Sequence, residues 1–166
     1  VDDNLISVMK DKKYGLYNAE GKQLSPPRFD DMTSFFEDRA WVKINGKWGF
    51  INKDGVLLIS PKYEMFNRFT EGLAWVRSES GLYGYVNKNG DEVVYPMYEE
   101  AQSFSEGLAA VKTYMEGGKL SYIYINKNGE SVISNIGAGI DDAYPFKNGY
   151  AKVRSGIRYG LIDKTG

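Results

Sequence analysis

Carboxylates return through this chain at a regular spacing: Asp30, Glu64, Glu99 and Asp141 each follow Phe29, Tyr63, Tyr98 or Ile140. Glycoside hydrolysis needs only two such groups, one as general acid and one as base or nucleophile. A catalytic pair is normally unique in a chain, whereas this acid returns with every repeat, which marks a structural role. A row of cations, Lys43, Arg77, Lys112 and Arg154, runs in the same phase, and Trp41 and Trp75 stand two residues before the first two of them. Such a row could hold an anionic polymer or an acidic protein segment through charge, stacking and cation–π contact. The plainer account pairs each cation with an acid, because Glu37, Glu71 and Glu106 stand six positions before Lys43, Arg77 and Lys112; recurring surface pairs of that kind are individually weak. Trp41 and Trp75 equally suit burial between sheets. The segments Asn52-Lys53-Asp54-Gly55 and Asn87-Lys88-Asn89-Gly90 are superficially like calcium loops. They lack the alternating carboxylates and distal Glu of an EF-hand and read as hairpin turns. With no His and no Cys, the commonest general base, the commonest transition-metal ligand and all thiolate chemistry are missing. No catalytic residue, metal or cofactor is expected, and Trp41, Trp75, Lys43, Arg77, Lys112 and Arg154 form the candidate ligand-binding face.

What positions these residues is a repeat. Tyr14-Gly15-Leu16-Tyr17-Asn18, Trp48-Gly49-Phe50-Ile51-Asn52, Tyr83-Gly84-Tyr85-Val86-Asn87 and Tyr159-Gly160-Leu161-Ile162-Asp163 share one signature, and Tyr122-Ile123-Tyr124-Ile125-Asn126 is a fifth copy with Ile in the glycine position. The closing glycines Gly21, Gly55, Gly90, Gly129 and Gly166 lie 34, 35, 39 and 37 residues apart. A second motif travels in phase: Phe35 to Val42, Phe69 to Val76, Phe104 to Val111 and Phe146 to Val153, with Glu-Gly or its variants near the start. Two linked motifs repeated four times identify a tandem array. Its five copies span about 1–32, 33–65, 66–100, 101–142 and 143–166, the outer two incomplete, within a single repeat domain of 166 residues. The fourth copy gains residues around Tyr114 to Lys119 and again around Asn135 to Gly139.

These segments resemble the WG (KWG) repeats of bacterial proteins, whose unit joins an F-x-E-G-L-A-x-V segment to a W-G-aromatic-I-x-x-x-G segment. Trp48-Gly49 matches the namesake dipeptide, Tyr-Gly at 14, 83 and 159 are conservative departures, and Tyr122-Ile123 departs further. The resemblance covers nearly the whole chain. It implies a repeated β-module used in binding or scaffolding, without catalytic residues to carry over.

The residues of the third copy read as strands. Leu73 to Arg77 alternates with period two, the signature of a half-buried strand. Tyr83 to Asn87 is a second strand, and Asn87 to Gly90 is a hairpin turn. Glu92 to Tyr95 is a third strand, ended by Pro96, which cannot donate to a ladder. Tyr98 to Phe104 is a loop or a short fourth strand. Asp38 stands where the other copies carry the glycine of the Glu-Gly turn, and Asp tolerates the left-handed region better than most residues. The columns Val8, Val42, Val76, Val111, Val153 and Ile6, Ala40, Ala74, Ala109, Ala151 read as core, with Phe35, Phe69, Phe104 and Phe146 as anchors. The fold class is therefore all-β: tandem copies of three or four antiparallel strands, arranged as a small five-unit β-propeller, with an open β-solenoid or spiral as the alternative.

Composition narrows the partners. Glycine is abundant (19 of 166) and aromatic residues reach 14%, as short strands and tight turns require. A formal net charge of −1 does not suit a nucleic-acid binder, and no apolar run is long enough to span a membrane. The expected function is a non-enzymatic binding or scaffolding module for a protein or polysaccharide, acting as a monomer. The alternatives are a carbohydrate-binding or glycan-hydrolysing domain and a structural spacer. Because the sequence opens at Val1 rather than Met, it reads as a processed or excised fragment, and an exported or cell-surface bacterial protein is favoured over a cytoplasmic one.

Overall fold

The computed structural model describes residues 4–134, 136 and 140–166. Every regular element among them is a β-strand. By compactness the chain divides into two units, Val1–Phe66 with Lys88–Gly90, and Asn67–Asn87 with Asp91–Gly166.

In the first unit, β1 (Leu5–Lys10), β2 (Lys13–Asn18) and β3 (Gln23–Phe29) form one antiparallel sheet in that order. The next sheet runs β4 (Asp31–Met32), β5 (Ala40–Ile44), β6 (Lys47–Ile51) and β7 (Leu57–Tyr63), and β8 (Met65–Phe66) follows. The second unit repeats the pattern with β9 (Leu73–Arg77), β10 (Tyr83–Asn87) and β11 (Glu92–Tyr98). A third version contains β12 (Glu100–Ala101), β13 (Leu108–Tyr114), β14 (Leu120–Asn126) and β15 (Ser131–Ile133); the last contains β16 (Asp142–Ala143), β17 (Tyr150–Ser155) and β18 (Arg158–Asp163). The all-β tandem expectation therefore holds. The segments after β3, β11 and β15 resolve into two-residue strands that pair with the next long strand, as Glu100 and Ala101 do with Lys112 and Val111.

Consecutive sheets bury one shared layer. In the first unit Leu16 and Phe29 of one sheet pack with Ala40, Val42 and Ile51 of the next. In the second, Tyr85, Val94 and Tyr98 meet Ala109 and Val111, while Leu108, Ala110 and Tyr124 on the opposite face meet Ala143, Ala151 and Val153. The small Ala/Val column lets a sheet approach closely enough for the neighbour's aromatics to fill the gap at interior density. In the first copy the same column is open: Ile6 is 49% and Val8 39% exposed, because no preceding sheet among the described residues covers that face. Phe69, Phe104 and Phe146 are buried, whereas Phe35 is only half-buried.

The third strands do not stop at proline. β11 runs through Pro96 to Tyr98, and β3 and β7 likewise run through Pro27 and Pro61. In each, the register slips: Tyr83 faces Tyr98, yet Tyr85 faces Val94. The bulge accommodates the missing donor, and it presses on the glycine of the signature dipeptide. A Cβ on Gly49 would lie 2.2 Å from the Ile59 carbonyl oxygen, and one on Gly84 would lie 2.4 Å from that of Val94. The fourth copy carries Ile123 here, and its third strand has only three residues. The insertion near Tyr114 lengthens a hairpin, giving β13 and β14 seven residues each. The second insertion lies outside the described residues except for Ile136, which is buried.

Candidate functional site

The expected face of Trp41, Trp75, Lys43, Arg77, Lys112 and Arg154 is built into the sheets. Trp41 is 4% exposed, stacked on Phe66 at 4.2 Å and edge-on to Phe50 at 5.2 Å. Trp75 is half-buried and meets Tyr83 edge-on at 5.3 Å. Period-two alternation separates two faces of a strand, but here both faces of a sheet can be covered, so the outward column is not a wet one. The cations are each opposite the aromatic of the signature dipeptide in the ladder: Lys43 faces Trp48, Arg77 faces Tyr83, Lys112 faces Tyr122 and Arg154 faces Tyr159. The Lys43 ammonium lies 5.2 Å from the Trp48 ring centre and that of Lys112 lies 5.2 Å from the Tyr122 ring. Lys112 also binds Glu100 at 2.9 Å, and Arg154 binds Asp142. These six side chains are therefore engaged by neighbouring residues of the fold.

Glu100 shows how tightly such groups are held. Burial pushes its carboxyl up, but hydrogen bonds from the Tyr122 hydroxyl and the Lys112 ammonium outweigh this and hold it below the usual value. Burial, reinforced by that carboxylate, raises the Tyr122 hydroxyl well above the ordinary tyrosine range. Burial also raises Tyr124, to about 12, and its hydroxyl donates to the Tyr144 carbonyl as that of Tyr85 does to Gln102.

Glu37, Glu71 and Glu106 find partners other than the cations six residues on. Glu71 Oε2 accepts the Gly107 N–H at 3.0 Å and pairs with Lys127 at 3.1 Å; Glu106 Oε2 accepts the Gly149 N–H at 3.0 Å and pairs with Lys164 at 3.3 Å. In the first unit Glu37 pairs with Lys88 at 2.5 Å. Each lysine is the second residue of an Asn-Lys-x-Gly turn (Asp-Lys in the last copy), so Glu71 and Glu106 each clamp both turns of the next copy. Lys127 and Lys164 also donate to the main-chain oxygens of Glu71 and Glu106. These glutamates sit at φ 53° and 54°, a left-handed backbone that costs a side-chain residue roughly 1–2 kcal/mol, which the clamp helps to offset. Asp38 at φ 67° confirms the left-handed position expected for it. The lysines were missed in the sequence, although their fixed place in the turn was the signal.

Asp30, Glu64 and Asp141 are likewise engaged. Asp30 pairs with Lys13 and accepts the Asn45 N–H, and Glu64 pairs with Lys47. The hydrogen bond from Lys13 holds the Asp30 carboxyl below its ordinary value. In the turns, Asn52 Oδ1 accepts the N–H groups of Asp54 and Val56, and Asn126 Oδ1 those of Asn128 and Glu130. The amide oxygens of these asparagines are thus used to close the turns. Among the described residues no cluster of three or more acids could hold a metal ion. A depression of about 380 Å³ is lined by Asp38, Arg39, Asn52, Lys53, Asp54, Leu58 and Asn89. Its polar groups are used structurally: Arg39 donates to the Lys88 and Asp38 carbonyls, and Asp38 holds Lys53.

Several large apolar side chains are also exposed. Tyr95 and Met97 on β11, and Tyr114 and Leu120 on the lengthened β13–β14 hairpin, are exposed, and Tyr114 and Leu120 are directly paired.

No curated protein sequence matches the chain. Among solved structures, Kluyveromyces lactis Hsv2 is similar at 11% identity and a TM-score of 0.49, over 99% of this chain and 60% of that one. BamB from Moraxella catarrhalis is similar at 9% identity and a TM-score of 0.43, over 100% of this chain and 60% of that one. The chain thus spans 60% of the length of each. The model of the WG containing repeat matches residues 14–48, 48–80, 83–114 and 124–156, most of the chain, each match beginning in the second long strand of one copy and running into the next copy. The chain belongs to the WG containing repeat family.

Proposed function

We propose that this chain is a non-enzymatic interaction module that binds a protein through its exposed apolar side chains. One observation carries the reading: the charged groups that recur are spent on joints within and between copies, while Tyr95, Met97, Tyr114 and Leu120 stay in water. Aromatic residues and Met are enriched in protein interfaces. Trp75, half-buried beside Arg77 and Tyr83, supports a polysaccharide-binding reading as the second choice.

Two measurements with the purified chain separate these readings. Capture of a defined protein from the source organism, verified by reconstitution with the purified partner, should be lost in a Tyr114→Ser/Leu120→Ser variant and kept in Trp75→Ala. Binding on a glycan array that disappears in Trp75→Ala would replace the protein reading. Turnover of any captured glycan would overturn the non-enzymatic one.

A further inference from the structure

We infer that a cavity between β1, β2 and the segment after β4 receives one aromatic side chain, of the indole class, from a partner polypeptide.

The strand ladder gives each copy the same three positions on this face. In the second copy they hold Trp41, the Phe50 opposite it, and Phe66 of the short strand that follows. The indole stacks on Phe66 at 4.2 Å and meets Phe50 edge-on at 5.2 Å. In the first copy the same positions hold Ser7, the Leu16 opposite it, and Met32. Each side chain is smaller than its counterpart, and none is a ring. Those three residues bound a cavity of about 100 Å³, whose apolar lining is Leu5, Leu16, Met32 and Phe35. The lining comes from strands and a connection within the first unit, so the space is made by side-chain size at positions that the ladder holds in place.

Phe35 is the independent observation. Its counterparts Phe104 and Phe146 are buried, and each meets an aromatic of the preceding copy edge-on, Tyr85 at 4.8 Å and Tyr124 at 4.9 Å. Phe35 packs instead on the cluster that contains Leu16 and is only half-buried. An aromatic entering the cavity therefore meets a ring edge or face, the geometry that aromatic pairs favour. A dry apolar cavity of roughly 150 Å³ takes up benzene, so the space here suits a single ring and not a larger group. The Thr33 hydroxyl is already used, accepting the Trp41 N–H at 3.0 Å and donating to the Ser34 carbonyl at 3.1 Å. Ser7 and Ser34 are exposed, and their hydroxyls offer acceptors for the one polar atom of an indole. A ring bound alone is weakly held, because few atoms contribute; on a polypeptide it serves as the buried anchor of a larger contact. The cavity belongs to the first unit, and Tyr95, Met97, Tyr114 and Leu120 to the second, so failure at one leaves the other untouched.

The test follows the methyl NMR signals of the isotope-labelled full chain during titration with Gly-Trp-Gly, blocked at both ends. The Leu16 and Met32 methyls should shift upfield and saturate, with a Kd on the order of 1 mM, as a single ring allows. Blocked Gly-Leu-Gly should leave them in place. Ser7→Trp and Met32→Phe each put back the side chain of the second copy, and both should keep the melting temperature and weaken the tripeptide at least tenfold. Should Ser7→Trp not fold, Met32→Phe decides. Ser7→Ala should keep binding within about fivefold, the worth of one hydrogen bond. Absence of saturable shifts, shifts confined to other methyls, an equal response to Gly-Leu-Gly, or equal binding by the folded filled variants would overturn the inference. So would tighter binding of free indole than of the tripeptide at the same methyls, which assigns the cavity to a small aromatic ligand.

Discussion

The glycine of the signature dipeptide can be tested by one methyl group placed at two equivalent positions. At Gly49 the added Cβ would lie 2.2 Å from the Ile59 carbonyl oxygen and 2.8 Å from the Pro61 nitrogen. Both obstacles are backbone, so relief requires β7 to retreat by about 1 Å to reach ordinary contact distance. Overpacking of this kind costs about 1–3 kcal/mol. The retreat also strains the ladder bonds where Phe50 faces Ile59, each worth about 1 kcal/mol net. Against this, alanine stiffens the unfolded chain and returns about 0.4–1 kcal/mol. Gly49→Ala should therefore destabilise by about 2–3 kcal/mol, lowering the melting temperature by about 4–12 °C for a chain of this size. Gly160→Ala meets only Val153 Cγ2 at 3.7 Å and should be neutral or stabilising by up to about 1 kcal/mol. Urea titration of both variants, followed by tryptophan fluorescence, measures the difference. If the two substitutions change stability equally, close approach of the bulge is not the reason for the glycine.

Two further outcomes follow from the same joints. Ser25 Oγ is buried without a hydrogen-bond partner, a loss of about 1–3 kcal/mol, so Ser25→Ala should stabilise by about 1 kcal/mol in the same titration; a loss of stability would show a partner at work. Asp38 is held below its ordinary pKa of 3.8 by the Lys53 hydrogen bond, and Glu106 below 4.5 by the Gly149 N–H and then by Lys164. Depressed carboxyls contribute stability that is present above the unfolded pKa and lost as pH falls through the folded one. The melting temperature should therefore hold from neutrality to about pH 5 and fall below it, and Glu106→Gln should flatten that acid limb; an unchanged limb would refute the clamp.

Strands and turns were legible because their causes are local. The bounds of Tyr83–Asn87 and the left-handed position of Asp38 follow from alternation and turn chemistry alone. Pro96 misled because the cost of a missing donor depends on the opposite strand, where Gly84 leaves space for a bulge. Trp41 misled because alternation distinguishes two faces without saying which is wet, and sheets covered on both sides have no outer face. The acid–cation columns were visible, but columns with a common period cannot say which meets which. Glu71 is six residues from Arg77 in sequence, yet binds Lys127 on the next copy.

The joints also bear on specificity in the proposed binding role. The aromatic of the dipeptide faces a cation, its glycine admits a bulge, the asparagine closes a turn, and the turn lysine meets the glutamate of the preceding copy. A residue used by every joint cannot distinguish one partner from another, since changing it would loosen the array before it altered recognition. On the proposed binding role, recognition is expected where the copies differ: at Tyr114 and Leu120 on the lengthened hairpin and at Tyr95 and Met97 beside Pro96. Substitutions there should change binding while leaving stability within about 0.5 kcal/mol, whereas substitutions in the signature should do the reverse.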